Sequence, residues 1–247
     1  MMRLAIAVLL AAQVAMAETY VHPTRLDKGG VTFLDESMVQ SQWNDAAGWY
    51  PFASAGSSTT DFSSAQSDGV FGNEGGYVTN AGGCADFDGT NDFFDTLNAT
   101  SFSDADFTAM CWMYSDIQAA YAVDYVLVQA HTLGPYSSDW IFGVDATFWF
   151  RTTAVAMGNV YDGHWHHLAM VWDRTAETYE GFVDGQSVGT SAVVSGYGGA
   201  GTVHAGSRPD ETSTFFNGKV DDIRIAPAKL AGAAILAHYN ATKGVHP

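Results

Sequence analysis

The stretch DGHWHHLAMVWD, residues 162–173, places three histidines within four positions and an aspartate at each end. Imidazole serves as a zinc ligand, a general base or a proton shuttle, so the question is which of these the backbone allows. The run is rich in Leu, Met, Val and Trp and is bounded by turn-forming residues, which predicts a strand over 165–173. On a strand, successive side chains point to opposite faces. His164, His166, Leu168, Met170 and Trp172 then share one side, and Trp165, His167, Ala169, Val171 and Asp173 the other. His166 and His167 therefore cannot meet at one metal ion. His164 with His166 supplies two donors where zinc takes three or four, and no Cys or His cluster elsewhere in the sequence completes the set.

The chain that positions this stretch opens MMRLAIAVLLAAQVAMA: one arginine, an apolar run, then small residues at Ala15 and Ala17. The pattern predicts a signal peptide over residues 1–17 and a secreted product over 18–247, outside the cell or in a periplasm. The apolar run is shorter than the ~20 residues of a membrane-spanning helix, so no membrane insertion is expected. A balance of 10 Lys+Arg against 27 Asp+Glu disfavours nucleic acid and anionic lipid as partners. Cys84 and Cys111 form an even pair without C-x-x-C spacing, which in an oxidising compartment predicts one disulfide between neighbouring strands.

Helix signals are scarce before residue 227. Instead, runs of Val, Thr, Phe, Tyr and Trp alternate with Gly, Asp, Asn and Ser clusters. This predicts strands over 48–53, 84–88, 107–114, 124–130, 139–144, 147–152, 165–173, 178–183, 201–206 and 219–226. The fold class is all-β, a two-sheet antiparallel sandwich forming a single domain over 18–247. The Ser/Gly/Thr-rich segment 54–83 reads as a long surface connection, because a linker there would leave 18–53 too short to fold alone. The Ala-rich tail PAKLAGAAILAHYN predicts a short closing helix from about 228 to 239.

DGHWHHLAMVWD followed by TYEGFVDGQSVG (178–189) resembles the central hairpin of laminin-G-like jelly-roll domains in the concanavalin A-like lectin/glucanase superfamily. CADFDGTNDFF (84–94), DFTAMCWMY (106–114) and FFNGKVDDIRIAPAKLAGAAILAHYN (215–240) are similar to the family's entry strand, its tryptophan strand and its closing strand and helix, in that order. The resemblance implies a jelly roll and recognition of glycans or glycoproteins. It also implies a structural Ca2+ at Asp221. Alternation places that carboxylate on the core face with Ile223 and Ile225, where it needs a counter-charge, hydrogen bonds or a metal. Asp88, Asn91 and Asp92 in FDGTND are the next oxygen donors; the alternative is that they shape a turn around Gly89.

Glycoside hydrolysis on two carboxylates needs them flanking the scissile bond, and no Glu-x-Asp-x-x-Glu string occurs. Glu177 and Glu180 face opposite ways on a strand, and no G-x-S-x-G is present. The expectation is therefore a protein that is not an enzyme. For sugar binding, the candidates are Trp140 with Asp139, and Arg208 with Asp210, where an aromatic platform would sit beside polar groups; the alternative for Trp140 is a core tryptophan. Asn98 and Asn240 head Asn-Ala-Thr glycosylation sequons. The expected function is a secreted, calcium-assisted glycan-recognition module. The alternative is a structural or adhesive protein that uses the sandwich for protein assembly.

Overall fold

The computed structural model describes residues 48–50, 58–59, 69–72, 84–96, 105–115, 125–130, 138–143, 146–150, 153–193, 201–208, 214–244 and 246. Strands form where β-branched and aromatic residues alternate with polar ones or run on continuously. In chain order they are β1 (Gly48–Tyr50), β2 (Ser58–Thr59), β3 (Gly69–Gly72), β4 (Ala85–Asp88), β5 (Phe93–Thr96), β6 (Phe107–Tyr114), β7 (Leu127–Ala130) and β8 (Ser138–Phe142). They continue with β9 (Thr147–Phe150), β10 (Thr153–Ala156), β11 (Trp165–Asp173), β12 (Thr178–Val183), β13 (Gln186–Ala192), β14 (Val203–Ala205) and β15 (Asn217–Ala226). A single described helix, α1 (Gly232–Thr242), follows. One sheet orders β1-β15-β6-β11-β12-β13 with β4 also on β15; the other orders β10-β9-β8-β7-β14-β5-β3-β2. The fold is thus an all-β two-sheet antiparallel sandwich with a short C-terminal helix, as the sequence predicts.

Alternation supplies the core. Phe107, Leu168, Met170, Trp172 and Ile225 from the first sheet meet Phe94, Trp140, Phe142, Phe148 and Phe150 from the second. Phe150 stacks on Trp172 across the layers with centroids 4.5 Å apart. The Tyr179 hydroxyl on β12 lies 3.0 Å from the carbonyl oxygens of both Phe148 and Thr153, fastening β9 and β10 to the opposite sheet.

A second, smaller apolar cluster lies on the outer face of the seven-stranded sheet. There Met110, Ala169, Val171 and Phe182 meet Ile235 of α1, with Leu230 packed alongside. The β12–β13 turn sets the helix position: Asp184 and Gly185 have φ 51° and 75°, the left-handed pair that a tight Asp-Gly hairpin requires. A Cβ on Gly185 would come within 2.9 Å of the Leu236 Cα, so turn and helix pack nearly backbone to backbone.

Four differences from the sequence reading have physical causes. The 54–83 segment contributes β2 and β3, which pair with each other and place β3 on β5; Ser and Gly concealed them. β13 lies at a sheet edge and is almost wholly exposed, so QSVGTSA carries no apolar alternation. The helix begins at 232 rather than about 228 because the preceding residues are tied to β6: Thr108 Oγ1 donates to the Ala228 carbonyl and accepts from the Leu230 amide.

The fourth difference is the predicted Cys84–Cys111 disulfide, which is corrected. Both residues are buried thiols and are not bonded to each other. Val220 of β15 pairs with Ala85 of β4 on one side and Met113 of β6 on the other, so β15 stands between the two cysteine strands. Two ladder spacings come to about 9.5 Å, beyond the ~7 Å that a disulfide spans between Cα atoms. Burial, with the Asp222 charge adding to it, pushes the Cys111 thiol far above its ordinary range.

Candidate functional site

The three histidines separate as parity requires. His164 stays exposed, with Nδ1 3.1 Å from Asp162 Oδ1. His166 lies between two carboxylates: Nδ1 is 2.9 Å from Asp184 Oδ2 and Nε2 is 3.1 Å from Asp162 Oδ1. The Asp184 hydrogen bond outweighs partial burial and, with Asp162, raises the His166 pKa. Both ring nitrogens are thereby engaged, and this imidazole holds the 162–166 corner together.

His167 points the other way, into a buried polar layer beneath α1. Its Nε2 is 3.1 Å from His238 Nδ1. Trp112 donates Nε1–H to Thr242 Oγ1 at 3.0 Å, and Thr242 donates to the His238 carbonyl at 2.9 Å. His246, beyond the helix, stacks on Trp112 at 4.5 Å. Asp222 accepts from Arg224 Nε at 2.7 Å, and its other oxygen is 3.5 Å from His238 Nε2. Burial opposes ionisation of Asp222, but Arg224 and His238 outweigh it and hold the carboxyl far below the usual range.

Asp221 belongs to this layer, which corrects the expectation that it shares the core face with Ile223 and Ile225. The register of β15 on β6 shifts between Asp221 and Arg224, and Asp222 has φ 49°. One extra residue in a bulge reverses the alternation after it. Asp221 therefore pairs with Trp112 on the helix side, accepts from the Asp222 amide at 2.7 Å, and lies 3.6 Å from His246 Nδ1.

The expected calcium set is divided by the same strand. Asp88 pairs with Asn217, four residues before Asp221, and four residues of strand cover about 13 Å. Asp92 accepts the Asp88 amide and Asp88 accepts the Thr90 amide, so the FDGTND turn is shaped by its own side chains. Burial, and then the neighbouring Asp88 and Asp86, raise the Asp92 pKa against the pull of the Asp88 amide. Asn91 is half-buried in this turn. Among the described residues no group of three or more His, Cys, Asp or Glu side chains is arranged to hold a metal ion. The predicted donors do not fit calcium as one set.

The sugar-binding candidates change places. Trp140 is fully buried against Phe107 and Phe142, which corrects its assignment as a platform: its register partner Phe150 is a core residue. Trp149 points outward instead, because Phe148 and Phe150 on either side of it take the core face. It is only partly buried, between Ile141 on β8 and Ala154 on edge strand β10. Its indole Nε1–H has no hydrogen-bond partner among the described residues. The unbroken aromatic run FWF hid this parity, which the register of β9 on β8 and β10 reveals.

Arg208 is half-buried just after β14. Asn240 is exposed on α1, its side-chain oxygen accepting from Lys243. The Asp139 side chain, Asp210 and Asn98 lie outside the described residues.

A sandwich of this size and strand order defines a jelly-roll class, and comparison with known proteins gives the family. The sequence matches the laminin-G model described as the concanavalin A-like lectin/glucanases superfamily over residues 88–236, and the chain belongs to that superfamily. No curated protein matches it in sequence. Among solved structures it is similar to Trypanosoma rangeli sialidase in complex with sialic acid, with TM-score 0.63, 12% identity, and coverage of 98% of this chain and 39% of that one. It is also similar to domain 4 of AbnA, a GH43 extracellular arabinanase from Geobacillus stearothermophilus, in complex with arabinotriose, with TM-score 0.57, 14% identity, and coverage of 78% and 97%. The binding domain of botulinum neurotoxin serotype D matches with TM-score 0.59, 8% identity, and coverage of 80% and 52%. The chain spans about a third of the sialidase chains it matches.

These neighbours correct the expectation of a protein that is not an enzyme. The fold is carried by sialidase chains and by an arabinanase domain, so nothing in it sets this chain apart from glycosidases. The two-carboxylate test behind that expectation does not cover every glycoside-cleaving chemistry. Among the described residues no helix is long and apolar enough to cross a membrane.

Proposed function

We propose that this chain is a secreted carbohydrate-recognition protein whose sugar-facing surface is the outer face of the eight-stranded sheet, centred on Trp149. The observation that carries the reading is the environment of that one side chain. An indole presents an apolar ring for stacking against sugar C–H faces and an N–H for a hydroxyl oxygen. Here the ring lies on the outer side of the sheet, opposite the core residues Phe148 and Phe150, and the indole N–H is buried with no hydrogen-bond partner among the described residues. The cross-strand neighbour on the edge side is an exposed alanine, Ala154, too small to cover the ring.

Superfamily membership and the likeness to a whole arabinanase domain solved with arabinotriose support a carbohydrate ligand. Recognition in this reading does not pass through calcium. The test is a broad glycan array probed with the purified chain, once with calcium and once with chelator, reading both retention and release of sugar. Retention of a defined sugar set that Trp149→Ala abolishes is the expected result. Silence on folded protein in both conditions would remove the reading and favour a protein partner.

A further inference from the structure

The polar layer under α1 lies on the opposite outer face from Trp149, and sugar recognition makes no use of it. Among the described residues its ionisable groups come from several elements. β11 contributes His167, α1 contributes His238 and Tyr239, and the residues after α1 contribute His246 and the exposed Lys243 over the Tyr239 ring. β15 contributes Asp221, Asp222 and Arg224, and the turn after β12 contributes Asp184, which accepts the His167 amide.

Among the described residues two buried carboxylates and one buried guanidinium share the layer with three buried imidazoles. His238 and His246 each lie beside a carboxylate oxygen, at 3.5 and 3.6 Å. His167 does not. In its 3.1 Å contact with His238 one ring nitrogen donates and the other accepts, so a single proton lies between the two rings. A proton on both would set N–H against N–H. The remaining nitrogen of His167, Nδ1, is buried with no hydrogen-bond partner among the described residues. An imidazolium there would be a buried charge with an unanswered donor.

We propose that these residues form an acid-sensitive clasp: on acidification, joint protonation of His167 and His238 lifts α1 off β6 and β11 while the sandwich stays folded, uncovering Met110, Ala169, Val171 and Phe182.

The helix is the element that yields. It has 11 residues, no side-chain N-cap bond, no acidic residue in its first turn and no basic residue in its last. So short and unassisted a helix is marginal without its docking surface, whereas β6 and β11 are central strands anchored in the main core. Burial, and then the neighbouring His238, hold the His167 imidazole well below its ordinary range, consistent with a folded state that resists this proton.

The test is amide hydrogen exchange of the full chain from about pH 7.5 to about pH 4.5, corrected for intrinsic exchange. The expected result is an about tenfold loss of protection in residues 232–242, with β6 and β11 unchanged, and no such step in His167→Gln or His238→Gln. Limited proteolysis of the wild-type chain, expected to cut within 227–244 only at the acid end, gives an answer that needs no variant to fold. Constant protection of α1 across the range, loss of β6 and β11 together with it, or an unaltered step in both variants would overturn the clasp.

Discussion

On the seven-stranded sheet the outward residues Trp112, His167, Asp221 and Arg224 are covered by α1 and linked to one another through hydrogen bonds, ion contacts and ring stacking. On the eight-stranded sheet the outward residues Ile141, Trp149 and Ala154 lie side by side across β8, β9 and β10, and Trp149 keeps an unpartnered N–H. Strand alternation builds both faces in the same way. The difference lies in what packs on top: where a helix covers a polar strand face, every charge must be matched. Where an aromatic stays partly open, the exposed part of its ring remains available to a ligand. The first face is therefore the one whose stability should respond to pH, and the second is the one proposed for recognition.

The largest expected effect is on the covered face. Arg224→Ala leaves the Asp222 carboxylate buried without its 2.7 Å partner, and losing one partner of a buried pair costs about 3–5 kcal/mol. A urea melt measures it, and adding Asp222→Ala should recover part of the loss because the two sites are coupled. Recovery to no degree would break the claim that the pair is matched. Next, the two tryptophans of the second sheet should behave as opposites. Trp140→Ala removes a fully buried ring and should cost about 3–5 kcal/mol, whereas Trp149→Ala removes a ring of intermediate burial and should cost clearly less. Equal losses in thermal melts would contradict the outward placement of Trp149.

The adjacent residues His166 and His167 sharpen the comparison through pH. The folded pKa of His166 is raised, with the Asp184 hydrogen bond first among the causes. Its contribution is therefore fully present below the ordinary imidazole value of about 6.5 and is lost as pH climbs through the raised value. The folded pKa of His167 is lowered by burial and then by His238. Below about pH 6.5 the unfolded chain takes up a proton that the folded chain refuses, so stability falls on acidification. His204, which burial pushes down to about 4, adds to the same acid-side loss. Melting temperature against pH should keep its acid-side fall in His166→Asn and lose part of it in His167→Gln; the reverse assignment would contradict the parity. The smallest effect expected is none: a reductant should leave the melting temperature unchanged, and denatured, unreduced protein should titrate two thiols.

Much of the frame was legible because alternation is a local property. Residues 165–173 and 178–183 read as strands to the residue, and the split of His166 from His167 followed directly. What local patterning could not carry was anything set by a partner strand. The β15 bulge moves Asp221 from the core face to the helix side, and VDDIRI shows no sign of it. The insertion of β15 between β4 and β6, which separates the cysteines, is a matter of topology. Trp140 and Trp149 both sit in apolar runs, and only the register of β8 on β9 shows which of them faces the core. Trp149, on the outward side of β9, is therefore not among the candidates read from the sequence.

The most direct measurement is the affinity of wild type, Trp149→Ala and Trp149→Phe for the sugar set retained on the array, each variant first checked by thermal melt. The account predicts a loss of about tenfold or more in Trp149→Ala, partial recovery in Trp149→Phe through ring stacking alone, and both variants folded at the temperature of the measurement. Unchanged affinity in a folded Trp149→Ala protein would contradict the assignment of the open face as the recognition surface.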